Sequence, residues 1–408
     1  MKPLGPIPAG YGAVDGVLAI GGRKVTELVA EAGETPLFVY SADMLRARVA
    51  QLRAAMPKRL AIHYAIKANP FIPILQTFSN LVDGFDIASG GELDIIIRAG
   101  IDPAIVSFAG PGKRDRELEA AIGAGVTLNL ESEAEAMRAI AIGERLGKTP
   151  RLAIRVNPDF DLKGSGMKMG GGAKPFGLDA ERVPALVRQV IDSGAEWRGF
   201  HIFAGSQALD AEAVADTQAQ TLALAARLVR ESGAPLPHCN LGGGFGIPYF
   251  PGDEPLDLAL VGEKLAAQFD TLPAELADTH FCIELGRFLV GEAGVYLATV
   301  IDRKESHGEV FLVTDGGMHH QLAASGNFGT VVRRNYPAAI ATKFGSELQE
   351  AASIVGCLCT PLDRLSDKGH FPRAEVGDLV AVFCAGAYGA SASPSAFLGQ
   401  GPALEMLV

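Results

Sequence analysis

The chain has 408 residues, 48% of them hydrophobic, enough to bury one large core and a smaller one. Its formal net charge is −11, from 36 basic and 47 acidic side chains, which argues against nucleic acid or an anionic membrane as a partner. No apolar run reaches the length of a bilayer span, and the opening MKPLGPIPAGYGAVDG lacks the basic-then-apolar pattern of a secretory signal, so a cytoplasmic chain is expected.

In chain order, the first forty residues carry two strand-like runs, 17–20 and 37–40, which could pair with a later β domain. From there to residue 285, short β-rich runs alternate with amphipathic segments. The predicted strands are 60–65, 84–88, 105–108, 126–130, 152–156, 199–203, 238–241 and 280–284. The predicted helices between them are 42–56, 91–98, 132–146, 181–192, 211–231 and 257–269. Eight strands alternating with helices predict an α/β fold, a parallel (β/α)8 barrel over 41–285. Past Arg287 the texture changes. Runs at 288–301, 310–315, 352–359, 379–384 and 403–408 read as strands with few helices between them, a β-rich, barrel-like domain over 286–408. The Gly- and Lys-rich segment 163–174 reads as a flexible surface loop, with a mobile lid as the alternative. The five cysteines, Cys239, Cys282, Cys357, Cys359 and Cys384, are sparse and odd in number, which suits reduced thiols; Cys357 and Cys359 stand too close for a zinc knuckle. Adjacent histidines, His319 and His320, lack a carboxylate partner at ligand spacing, so no metal site is expected there.

In a barrel of this kind the chemistry sits at the C-terminal strand ends. Those positions read Lys67, Asp86, Ser89, Glu131, Asn157, His201, Ser206, the Gly242–Gly244 run, Glu284 and Arg287. A lysine at the mouth is expected to be partly desolvated, which frees its amine for Schiff-base chemistry, although a surface lysine reads the same in isolation. The glycine run after a strand could bring backbone N–H groups to a phosphate, or be an ordinary turn. Glu284 could keep a pyridinium nitrogen protonated, or simply pair with Arg287. His201 could stack on a cofactor or be structural. Cys359 and Asp363 place a thiol and a carboxylate on one short loop, and Tyr388 a phenol on another; each could equally be packing.

Taken together, YAIKANP, GFDIASGGEL, FAGPGK, VNPD, HIFAGSQ, LGGGFGIPY, ELGR, CLCTPLD and AGAYG stand in an order that resembles the fold-type III pyridoxal-phosphate (PLP) decarboxylases, which include the diaminopimelate, ornithine and arginine enzymes. The resemblance runs from about Pro36 to the C-terminus. It implies PLP held on Lys67 as a Schiff base, and decarboxylation of an amino acid through a quinonoid. It also implies Asp86 near the imine, His201 on the pyridine ring, and Ser206, Gly243, Gly244, Gly286 and Tyr388 at the phosphate. Glu284 would face the ring nitrogen and Arg287 the phosphate and substrate. Cys359 and Asp363 would enter the neighbouring active site of a homodimer, with Cys359 or Lys67 returning the proton.

The sequence departs from the family in places. Leu285 stands where Pro is usual. The Arg-Pro…Tyr segment that grips a distal carboxylate in diaminopimelate decarboxylases is replaced along 314–329, where Ala323 and Ala324 fall near its place; Arg333 and Arg334 lie further on. The family's Tyr-Asn-x-Arg segment after AGAYG is missing too. These features resemble a subgroup tied to exosortase and biosynthetic clusters, one related member of which acts on a carrier-linked glutamyl group. The expected substrate is therefore a modified or acyl-carrier-protein-linked amino acid. A diaminopimelate decarboxylase, a PLP racemase and a non-catalytic regulatory homologue are the alternatives.

Overall fold

A computed structural model describes residues 1–326 and 333–408. Residues 327–329 of the replaced clamp segment fall outside them. The chain divides into two compact units. One comprises 48–246 and 255–286; the other comprises 1–47, 247–254 and 287–408.

The first unit is a closed parallel barrel. Its strands are β1 (Leu60–Ala65), β2 (Gly84–Ile87), β3 (Val106–Phe108), β4 (Thr127–Leu130), β5 (Arg151–Asn157), β6 (Glu196–Ile202), β7 (His238–Gly243) and β8 (His280–Leu285). Each pairs with the next, and β8 pairs back to β1, so no edge is left open. The strands alternate. Ile62 and Tyr64 of β1 are fully buried, and the Tyr64 ring meets Phe78 of helix Ile72–Phe78 edge-on at 4.7 Å. Ala61 and His63 instead line the barrel interior. Each fully buried Ile or Leu on the helix-facing side contributes roughly 1.5–3 kcal/mol. Ser132 caps helix Glu133–Leu146 by accepting from Glu135 N, and Gly147 ends it in the left-handed conformation, φ 63°.

The second unit is built on the long strand Gly294–Ser306, which pairs antiparallel with Leu37–Tyr40, Leu379–Val382 and Glu309–Thr314. Leu404–Leu407 joins Leu37–Tyr40 in parallel, so both chain ends enter one β system, as the runs at 37–40 and 403–408 suggested. Leu18, Ile20, Leu37, Val39, Val295 and Leu297 form its core.

Some expectations needed correction. The run 288–301 begins as a helical turn, Arg287–Val290, before its strand. The run 352–359 ends as a strand at Val355, because Asp363 folds the following residues into a turn. Helices Ile72–Phe78 and Asp115–Ala124, and strand Arg364–Phe371, were not expected. Among the described residues no helix is long and apolar enough to cross a membrane.

Candidate active site

The C-terminal strand ends of the barrel enclose a cavity of about 200 Å³ lined by Lys67, Asp86, Arg155, His201, Phe203 and Glu284. The placement follows from the alternation: Asp86, Arg155 and Glu284 occupy inward positions near the ends of β2, β5 and β8, and Lys67 follows β1 on a short 3-10 turn.

Glu284 is buried among polar partners. His201 Nε2 lies 2.7 Å from its Oε2, and Asn240 Nδ2 donates to the same oxygen at 3.1 Å. Asn240 Oδ1 accepts from Gly242 N at 2.8 Å, so one amide ties the carboxylate to the glycine turn. Burial alone would raise the Glu284 carboxyl; His201, with Lys67 and Arg155 nearby, overrides it and holds the group below the usual carboxylate range. Arg155 is itself fixed by Glu131 at 2.9 Å, whose oxygens also accept from Gly110 N and Gly177 N.

Lys67 lines the cavity but is solvent-exposed, with Nζ 5.6 Å from the centre of the Phe203 ring. The expected desolvation is therefore not what distinguishes it; its position on the cavity is. Asp86 is 7% exposed, and neither of its oxygens has a hydrogen-bond partner. His201 is buried, and its Nδ1 likewise has none.

The glycine run is demanded by the backbone. A Cβ on Gly243 would stand 1.9 Å from Glu284 O, and one on Gly244 (φ 78°) 2.2 Å from Gly205 O. Gly205–Ser206 pairs antiparallel with Met167–Lys168, and Met169 N donates to Ala204 O at 3.1 Å. The segment read as a flexible loop is thus bonded in its middle to the chain after β6, and Met169 reaches the cavity wall.

The remaining candidates beyond Gly286 belong to the second unit. Arg287 donates to Tyr249 Oη at 2.7 Å, and its guanidinium lies 4.8 Å over the Tyr388 ring. Tyr388 sits in the left-handed region, φ 59°. Cys359 is exposed. Asp363, on the same loop, is buried and accepts from Met318 N at 2.6 Å and Leu358 N at 2.9 Å. Around the replaced clamp, Arg333 donates to the carbonyls of Ser325 and Leu362, and the Arg334 guanidinium lies 3.8 Å over the Phe250 ring. His320 bonds the Tyr296 hydroxyl and Gly401 O, and among the described residues no set of three or more His, Cys, Asp or Glu side chains could hold a metal.

Sequence reasoning missed His63, Asn240, Arg155 and Tyr249. Three of them carried a signal: each is a polar residue at an inward position of an otherwise apolar strand.

An amine, a carboxylate held ionised and a second, buried carboxylate around one cavity suit an aromatic aldehyde whose ring nitrogen carries a proton. The comparisons with known proteins agree. Residues 42–291 match the family model for the pyridoxal-binding domain of pyridoxal-dependent decarboxylases. The chain is 36% identical to the L-glutamyl-[BtrI acyl-carrier protein] decarboxylase of Niallia circulans, covering 92% of this chain and 89% of that protein. It is 34% identical to the diaminopimelate decarboxylase of Neisseria meningitidis serogroup A, covering 93% and 91%. The crystal structure of Helicobacter pylori diaminopimelate decarboxylase complexed with L-lysine superposes with a TM-score of 0.83 at 27% identity, covering 94% of each chain. The match spans the whole barrel and continues through the β-rich unit, and on it the chain belongs to the pyridoxal-dependent decarboxylases of fold type III.

Proposed function

We propose that this PLP-dependent decarboxylase acts on an amino acid whose far end is extended, carried on an acyl-carrier protein or otherwise modified. The observation that carries this reading is the missing distal clamp. Ala323 and Ala324 stand near its place, and both nearby arginines are engaged, Arg333 by backbone carbonyls and Arg334 by Phe250. A distal carboxylate buried there would lack a cation, which is costly. The Niallia circulans relative, whose name gives a carrier-linked glutamyl substrate, supports the same reading.

In this proposal Lys67 holds the cofactor covalently and Glu284 faces its ring nitrogen. His201 orients Glu284 and packs on the ring. Gly243, Gly244, Gly286, Ser206, Arg287 and Tyr388 serve the phosphate, Arg287 and Tyr388 also facing the substrate. When bound, PLP supplies the electron sink that lets the carboxylate leave as carbon dioxide. Glu284, ionised and buried, holds the ring proton in place. Asp86 lines the same cavity as Lys67 and would offer its amine a proton acceptor there. Cys359 is exposed on its loop and so able to deliver a proton to the substrate carbon across a homodimer interface, while Asp363 shapes that loop from within. A cytoplasmic homodimer is part of the proposal.

The test is carbon dioxide release by PLP-loaded protein from glutamyl-loaded carrier protein and, separately, from free meso-diaminopimelate, with Lys67→Ala as control. Release from the carrier-linked substrate and none from diaminopimelate is expected. Brisk release from diaminopimelate would make this a diaminopimelate decarboxylase and overturn the distal-pocket argument.

A further inference from the structure

The barrel holds a second cavity, about 320 Å³, at the N-terminal ends of its strands. Barrels of this type usually fill that space with layers of Val, Ile and Leu. Here the wall carries His63, Arg198, His238, Asn240, His280 and Cys282. Nothing in the reaction as described uses this end of the molecule.

His63 joins the two cavities. Its ring lines the N-terminal one, and its Nδ1 lies 3.4 Å from Oδ2 of Asp86, which lines the catalytic one. The spacing is that of an ion pair without hydrogen-bond alignment, and neither atom has another hydrogen-bond partner. The ring packs against Gly84, where a Cβ would stand 2.7 Å from two of its atoms, so a glycine at the start of β2 makes the room that His63 needs. A carboxylate as buried as Asp86 requires compensation, because an unpaired ion taken out of water is costly. The other titratable groups around His63 are Cys282 and Glu284 on β8, the latter in register with it, His238 at the start of β7, and Asp83, Arg198 and His280 on the same cavity wall. Burial pushes the His63 imidazolium down, but Cys282 and Asp86 outweigh it and carry the group well above its ordinary value of 6.5.

We propose that His63 is a positioning residue that holds the Asp86 carboxylate at the catalytic cavity and passes protons between the N-terminal cavity and the Lys67 amine. In one direction the ring and the carboxylate close from 3.4 Å to hydrogen-bond contact, and the Nδ1–H bond of His63 breaks as an O–H bond forms on Asp86. That O–H bond then breaks as an N–H bond forms on the Lys67 amine, which lines the same cavity. The ring, left with its Nε2–H, then turns about the Cβ–Cγ bond and takes a proton on the vacated Nδ1 from water entering the N-terminal cavity, which restores the imidazolium. The reverse sequence lets Lys67 shed a proton before it takes up cofactor. No electrons are exchanged. The route rests on the proposed role of Lys67, whereas the His63–Asp86 pair does not.

The pair is tested in cofactor-free protein by following the histidine ring nitrogens by NMR through a pH titration. His63 should stay protonated beyond the ordinary range, and Asp86→Asn should lower its midpoint by about one unit, tenfold in proton affinity. An identical His63 midpoint in both proteins would overturn the proposal. The route is tested by the rate at which added PLP develops the visible absorbance of bound cofactor. His63→Ala should slow it about tenfold, with millimolar imidazole restoring it through the enlarged cavity. His63→Gln, which keeps the shape, should be slow as well. Slow loading that imidazole does not restore would mean a structural role and sink the relay. Should Lys67→Ala still load cofactor covalently, the assignment of Lys67 fails while the NMR result stands on its own.

Discussion

Glu284 in the barrel and Asp363 in the β-rich unit are both carboxylates buried near the end of a strand, yet their surroundings treat them in opposite ways. Glu284 is met by side chains that carry or can carry positive charge, and His201, Lys67 and Arg155 hold it below the usual range against the pull of burial. Asp363 is met mainly by backbone: burial raises it, and the N–H groups of Met318 and Leu358, with His320 further off, only partly offset that. A carboxylate held by adjustable side chains can trade interactions with a ligand. One that closes a turn through main-chain bonds cannot leave them without unfolding the turn. The first is built for chemistry and the second for shape.

The sharpest way to break that comparison is at the barrel. Lys67→Ala should abolish both the visible absorbance of bound cofactor and decarboxylation, with the fold intact by circular dichroism. Glu284→Gln comes next. It keeps the shape and removes the charge, and should lower kcat by about 10²-fold, the scale of losing one preorganised electrostatic contact. Its melting temperature should move little; a large drop would place Glu284 with Asp363 as a structural group. Asp363→Asn should behave the other way, costing about 1–3 kcal/mol in denaturant unfolding because an amide N–H₂ faces a backbone donor. Its pH signature has a definite sign. The folded chain binds the Asp363 proton more tightly than the unfolded chain, where the value is 3.8, so this contribution to stability falls as pH rises from 3.8 through the higher folded value. Asp363→Asn should flatten that fall. The smallest effect concerns thiols: iodoacetamide should label exposed Cys359 ahead of buried Cys239 and Cys384, read by mass spectrometry of the intact protein.

Much of the barrel was legible because its outward strand positions are apolar and its turns are glycine-rich. Strand β1 was placed to the residue, and β6 was missed by three residues at its start, where charged Glu196 and Arg198 hide a strand edge. Helix Ile72–Phe78 escaped because seven residues with a proline near the start show too little of a 3.6-residue period. Strand Arg364–Phe371 escaped because its sequence, RLSDKGHF, is polar, although Ser366 and Asp367 are buried. At the site, motifs located Lys67, His201 and Glu284, but no motif announces that Asn240 bonds both Glu284 and Gly242 or that His63 faces Asp86. Those are facts of neighbouring strands, and register across a barrel is not written in any one stretch of chain.

The glycine run after β7 has a bearing on how such chains are recognised. Its second glycine is compelled by the Glu284 carbonyl and its third by the Gly205 carbonyl, both of them protein atoms. A descendant that had lost the cofactor would still need both glycines to close its barrel. The run therefore certifies the architecture, and a judgement that such a relative still has its enzymatic trade should rest on Lys67 and Glu284, which the barrel could replace.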